Sequence, residues 1–161
     1  MMELQGASTA PGFRFAIIVS RFNPEVTDGL LRGARTALAE AGVHDDDITL
    51  VRVPGAFELP VTAGRLASTG RFDAIVCLGC VIKGDTMHFE YISAAASHGI
   101  MDVSTGSGIP IAFGLLTTLD EEQARVRSVD GPDNKGREAA MAAVEMATLW
   151  RHFGEAGLHE R

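Results

Sequence analysis

The segment from Asp73 to Ile82, Asp-Ala-Ile-Val-Cys-Leu-Gly-Cys-Val-Ile, constrains the fold more than any other. After its opening aspartate it carries no charged side chain and shows no alternation of polar and apolar positions. A strand with one face in water alternates; a strand covered on both faces does not. The run therefore predicts a central strand of a parallel sheet with helices packed on either side. Parallel strands need long crossovers, so helices must separate this strand from its neighbours.

The remaining sequence supplies both. Phe15 to Ser20, Ile48 to Val53 and Ile109 to Leu116 are apolar runs of strand length. From Pro24 to Ala41, apolar residues at Val26, Leu30, Ala34, Ala37, Leu38 and Ala41 form a helical stripe. Asn23 and Pro24 fit its cap and first turn, and Gly42 its end. Glu58 to Ser68, Met87 to about Asp102, Asp120 to about Arg127 and Lys135 to about Phe153 are further expected helices. Ser104 to Gly108 is expected to be a small-residue turn. The last helix should bury Ala139, Ala140, Ala143, Val144, Ala147 and Trp150. The order βαβαβαβ followed by two helices predicts a three-layer αβα sandwich around a four-stranded parallel sheet. A chain of 161 residues fits one domain. Its expected limits are 13–154, with a flexible arm over 1–12 and a polar tail over 155–161.

A net charge of −7 argues against a general nucleic-acid surface, which needs clustered Lys and Arg. No apolar run reaches the roughly 18 residues needed to span a membrane. Met1 to Pro11 has no basic start and no long apolar stretch, so no secretory signal is expected there. Cys77 and Cys80 have the spacing of a redox or half-zinc motif. They sit inside the buried strand, and no second pair completes a zinc site, so they are expected to be two reduced, small hydrophobes. That fits a reducing, cytoplasmic setting.

In such sheets ligands bind beyond the carboxyl ends of the strands. Those ends carry residues that a bland fold does not require. Phe22 either packs on a neighbour or offers a stacking platform for a flat ring. Asn23 fits a plain N-cap. Gly55 and Ala56 allow close backbone approach, and Phe57 supplies an apolar wall. Glu58 either caps a helix start or accepts hydroxyl hydrogen bonds. After Cys80, Val81 and Ile82, Gly84 allows a tight bend. The amides of Asp85 and Thr86 then form a small anion nest. His88 beside it is a surface or interface histidine, or an acid–base group. Phe113 follows in the region taken as the fourth strand end, Phe113 to Thr118. Arg127 and Lys135 are solvated charges or a phosphate clamp. His44, His98, His152 and His159 draw no function. The chain has no Walker loop, no Gly-x-Gly-x-x-Gly fingerprint and no nucleophile elbow.

Six blocks together resemble the lumazine synthase family of riboflavin biosynthesis. They are Ser20-Arg21-Phe22-Asn23, Pro54 to Pro60, Gly79 to Tyr91, Phe113 to Thr118, Glu122-Gln123-Ala124 with Arg127, and Asn134-Lys135-Gly136 running on to Glu145-Met146. The resemblance spans roughly residues 13 to 153 and implies a flavodoxin-like fold. It implies condensation of 5-amino-6-(D-ribitylamino)uracil with 3,4-dihydroxy-2-butanone 4-phosphate, with no cofactor and no metal. Phe22 would stack on the pyrimidine. Ala56, Phe57 and Glu58 would line the ribityl and ring pocket. Backbone groups of Cys80, Val81 and Ile82 would read the ring edge. Asp85, Thr86 and Arg127 would hold the phosphate, and His88 would transfer protons. Phe113 and Lys135 would complete the ring pocket.

The resemblance also implies a homo-oligomer built of pentamers, with Phe113, Arg127 and Lys135 entering each site from the adjacent chain. Riboflavin synthase is the implied protein partner. The short turn Ser128 to Asn134 is similar to that of members forming shells of twelve pentamers, whereas Pro11 disfavours strand pairing by the arm. On balance a 60-subunit shell is expected. The chain departs from the family pattern at 93–98, Ser-Ala-Ala-Ala-Ser-His, and at Val126, where acidic or basic residues are common. The alternatives are a flavin- or lumazine-binding paralogue without catalysis, and a shell protein of the same fold.

Overall fold

The structure is a computed structural model and describes residues 1–158. The end of the expected tail, 159–161, and with it His159, lies outside the described residues. In chain order the elements are β1 (Phe15–Ser20), α1 (Pro24–Glu40), β2 (Ile48–Val53), α2 (Leu59–Ala67), β3 (Ala74–Ile82), α3 (His88–Ser107), β4 (Ile111–Thr118), α4 (Glu121–Val126) and α5 (Lys135–Glu155). Short 3-10 turns occupy Asp45–Asp47 and Ala56–Glu58. No helix among the described residues is long and apolar enough to cross a membrane.

All strand pairs are parallel, in the order β2-β1-β3-β4. The apolar run at 74–82 is one of the two central strands, and all its residues but Ile82 are buried. Successive side chains of a strand point to opposite faces. Phe15, Ile17, Val19, Val76, Leu78 and Cys80 therefore pack under α1 and α5. Ala16, Ile18, Ile75, Cys77 and Val81 pack under α2 and α3. This alternation settles the cysteines. Three positions apart in one strand, Cys77 and Cys80 lie on opposite faces and cannot bond to each other. Burial pushes their thiols up to about 12 and about 11.

α1 and α5 cross at very close range. A Cβ on Gly136, in the first turn of α5, would lie 2.0 Å from the Leu30 carbonyl oxygen. Only glycine fits there. The segment expected to be a flexible arm lies along α5. The Ala7 amide donates to Thr148 Oγ1 at 2.7 Å, and buried Ala10 donates to the Ala41 carbonyl at 2.8 Å.

Several boundaries differ from expectation. α3 runs on through Ser104 to Ser107, most of the Ser104–Gly108 segment expected to be a turn, and stops where Gly108 turns left-handed at φ 72°. Thr105 and Ser107 tolerate the helix because their hydroxyls donate back to the Met101 and Val103 carbonyls. β4 is displaced by two residues towards the C-terminus as a result. The expected helix start at Glu58 is a 3-10 turn leading into α2. Trp150 is not in the inner face of α5. It is 42% exposed, and its Nε1 donates to the Gly108 carbonyl, tying α5 to the end of α3.

α3 buries only Ala96 and Ile100 although much of it is apolar. Tyr91 and Met101 are 72% and 61% exposed. Exposed apolar surface of this extent marks an interaction face.

Candidate functional site

β1 leads outward to β2 on one side, whereas β3 leads to β4 on the other. The crevice between the carboxyl ends of β1 and β3 is thus the topological switch point of the sheet. Beyond Ser20 the chain leans towards β2, with the Arg21 amide donating to the Val53 carbonyl at 2.8 Å. Asn23 then adopts a left-handed backbone, φ 58° and ψ 59°, and among the described residues no other non-glycine residue has positive φ. It also precedes Pro24, which biases a residue towards extended geometry. Such a conformation costs most non-glycine residues roughly 1–3 kcal/mol, and asparagine is among the few that tolerate it. Here the Asn23 side chain crosses the crevice and Nδ2 donates to the Cys80 carbonyl at 3.0 Å. The expected N-cap role is therefore corrected: Asn23 makes no side-chain cap bond to α1. Phe22, next to it, is 70% exposed and presents its ring to solvent.

At the end of β2, Ala56 is buried and Phe57 is 59% exposed. Glu58 folds back so that Oε2 accepts from the Gly55 amide at 2.9 Å. This is the capping role weighed above, and it occupies one carboxylate oxygen.

At the end of β3, Cys80 and Val81 are buried and pair with Leu116 and Thr117 of β4. The ladder extends one step further, the Lys83 amide donating to the Thr118 carbonyl at 2.8 Å. Lys83 Nζ meets Glu90 Oε1 at 3.0 Å, and this hydrogen bond holds the Glu90 carboxyl below its ordinary range. Gly84, Asp85 and Thr86 form an exposed loop between the two. A Cβ on Gly84 would meet nothing within 4 Å, so the chain's own packing does not require glycine there. α3 begins at His88, which places Asp85 and Thr86 just before the helix rather than in its first turn. Thr86 Oγ1 accepts from the His88 amide at 3.4 Å and tethers the loop to the helix. His88 is exposed beside them.

Phe113, Arg127 and Lys135 form a second cluster. They line a groove of about 560 Å³ along the edge strand β4, with Gln123 and Ala139 between them. Phe113 is not at a strand end. It pairs in register with Cys77, five residues before Thr118. That is roughly 16 Å down the strand from its carboxyl end. Arg127 Nη1 donates to the Gln123 carbonyl, and Lys135 Nζ pairs with Glu138. The Lys135 amide donates to the Arg127 carbonyl at 2.9 Å, so the two cationic residues are set side by side by their backbones. None of the residues lining this groove belongs to the first cluster, and the two remain separate within one chain.

Asn134 anchors the second cluster and was not singled out by sequence reasoning. It is 1% exposed. Nδ2 faces the carbonyls of Gly29, Ser128 and Val129 at 3.1, 2.9 and 3.1 Å. Oδ1 accepts from the Gly136 and Arg137 amides at 2.9 and 3.0 Å. One side chain thereby caps α5, closes the loop from Ser128, and ties both to α1. Its position before a helix signals a cap; nothing local signals the tie to α1.

Comparison with known proteins identifies the family of the chain. A family model described as 6,7-dimethyl-8-ribityllumazine synthase matches residues 12–151. A relative from Desulfatibacillum aliphaticivorans, named 6,7-dimethyl-8-ribityllumazine synthase, is 49% identical over 150 residues, covering 93% of this chain and 97% of the relative. The matched span takes in both clusters and every element from β1 to most of α5, and the chain belongs to the 6,7-dimethyl-8-ribityllumazine synthase family.

Proposed function

We propose that the protein condenses 5-amino-6-(D-ribitylamino)uracil with 3,4-dihydroxy-2-butanone 4-phosphate, giving 6,7-dimethyl-8-ribityllumazine, inorganic phosphate and water, as a step of riboflavin biosynthesis. The observation that carries this reading is the division of labour between the two clusters in a chain of this family. One cluster offers an exposed ring platform, a carboxylate and a histidine beside an open loop. The other offers two adjacent cations and a second aromatic ring. Neither is a complete site, and each supplies what the other lacks.

The reaction asks for positioning, because both substrates carry their own reactive groups. Phe22 stacks on the pyrimidine, while backbone groups of Cys80, Val81 and Ile82 read its edge. Ala56 and Phe57 wall the pocket. The second oxygen of Glu58 accepts from ribityl hydroxyls. The ring amine attacks the ketone, and the resulting carbinolamine loses water to form an imine. His88 takes a proton from the carbon next to the imine and passes it to the phosphate, which leaves with the C–O bonding pair as the dianion. The amide of Asp85, the hydroxyl and amide of Thr86, and the Arg127 guanidinium hold the phosphate dianion as it departs. The enol so formed becomes a ketone. The ribityl-bearing nitrogen attacks it and closes the ring, releasing a second water. Phe113 and Lys135 close the ring pocket.

Arg127, Lys135 and Phe113 reach the first cluster from an adjacent copy of the chain. The apolar surface left on α3, and the exposed Phe22, Phe57 and Met87, support such an assembly. Pentamers are the proposed unit, and the short Ser128–Asn134 turn favours their association into a 60-subunit shell, which would have room for riboflavin synthase as a partner. Particle size by light scattering and negative-stain microscopy tests the assembly.

Incubating the protein with both substrates tests the activity. Lumazine absorbance and released phosphate should rise together, one for one. Phosphate release without lumazine, or no product above the buffer rate, would overturn the proposal.

A further inference from the structure

Resting on the activity proposed above, we infer that Asn23 is a positioning residue that sets the width of the switch-point crevice and fixes the Phe22 ring over it. Three observations converge on this residue. Its backbone is left-handed although it is not glycine and although a proline follows. Its amide crosses from the β1 end to the Cys80 carbonyl at 3.0 Å. Its side chain makes no cap bond to α1, which is the role its position before Pro24 would suggest.

The physical logic follows from the sheet. β1 and β3 are paired in register up to Val19 and Leu78. Past that point the β1 chain bonds to β2 through the Arg21 amide and leaves β3 without a backbone partner on that side. The Cys80 carbonyl would then be an unpaired acceptor at the floor of the crevice. The Asn23 amide supplies the missing donor from a distance, so the strands diverge by one side-chain length. The left-handed turn needed to aim that amide inward also throws the preceding residue, Phe22, outward, where it is 70% exposed. Crevice width and ring orientation are therefore set by one residue. Asparagine combines tolerance of left-handed backbone with a side-chain donor; glycine has only the first property and alanine neither.

The Asn23 side chain bonds to Cys80 and makes no hydrogen bond to the phosphate-holding loop at Asp85 and Thr86, so the two substrates should feel its loss differently. The test compares Asn23→Gly, which keeps the backbone freedom and removes the brace, with Asn23→Ala, which removes both. Steady-state KM for each substrate is measured together with direct binding of the fluorescent lumazine product, which reports on the ring site without turnover. Asn23→Gly should raise KM for the pyrimidine, and Kd for the lumazine, by roughly tenfold, about the loss of one well-placed hydrogen bond. KM for the butanone phosphate should stay within about twofold and the melting temperature close to wild type, with Asn23→Ala worse in ring binding. Unchanged ring binding in Asn23→Gly would overturn the inference. So would equal losses for both substrates accompanied by a lower melting temperature, the mark of a merely structural role. A wild-type protein that binds lumazine but forms none from the two substrates would sink the proposed activity instead, and the binding series would still judge Asn23.

Discussion

Replacing Asn134 by alanine removes more from this chain than its size suggests. The side chain is 1% exposed and engages two amides and three carbonyls. Losing the cap on the Gly136 and Arg137 amides costs about 1 kcal/mol. The Gly29 and Ser128 carbonyls then lose a buried donor, at roughly 1–3 kcal/mol for each group left unsatisfied. Water reaching the loop at the exposed Val129 offsets part of this, which leaves roughly 3 kcal/mol in all. For a chain of this length that lowers the melting temperature by about 6–12 °C. Thermal unfolding at matched protomer concentration measures it, because assembly contributes to apparent stability. Asn134→Asp should be no better: it keeps the cap acceptor but turns a second acceptor towards three carbonyl oxygens. A loss of less than about 1 kcal/mol in Asn134→Ala would refute the hub assigned to this residue.

His88→Ala should lower kcat by about 100-fold, the low end of the general acid–base range, because the substrates supply the reactive groups. KM for either substrate should change little, and an unaltered kcat would remove His88 from the proton transfers. Iodoacetamide at pH 8 should leave Cys77 and Cys80 unmodified in the folded protein and label both in denaturant, as mass spectrometry would reveal. Rapid labelling of the native chain would contradict their burial. The same thiols make stability fall as pH rises. With folded values near 12 and 11 against an ordinary 9.0, their contribution is fully present below pH 9 and declines from there as the unfolded chain ionises first. Denaturant midpoints across pH 8–11 measure that decline.

Much of the fold was legible because burial leaves its mark on sequence. The unbroken apolar run at 74–82 identified a central strand, and its burial already marked Cys77 and Cys80 as small hydrophobes within it. What misled was local chemistry with two outcomes. Ser104, Thr105 and Ser107 suit a turn, yet their hydroxyls bond within and just beyond α3 and the helix continues. Asn23 before Pro24 has the sequence of a cap. The tertiary contact to Cys80 draws it into another role. Phe113 was taken for a strand-end residue because β4 begins later than its apolar run. Its position on an edge strand, far from the crevice, depends on strand order, which no single stretch of sequence encodes. Asn134 shows the same limit: its cap is local, but its contact with α1 spans 105 residues.

The central claim is that one active site is assembled from two chains. Co-assembly of His88→Ala with Arg127→Ala tests it most directly. Each variant damages a different cluster, so each is weak alone. If the site is shared, an equal mixture co-expressed or refolded together contains interfaces in which an intact His88 faces an intact Arg127. Random placement around a symmetric ring makes about a quarter of the interfaces of this kind. Activity should therefore rise to about a quarter of wild type, well above the mean of the two parents. Mixed assemblies no more active than that mean would contradict a site shared between copies.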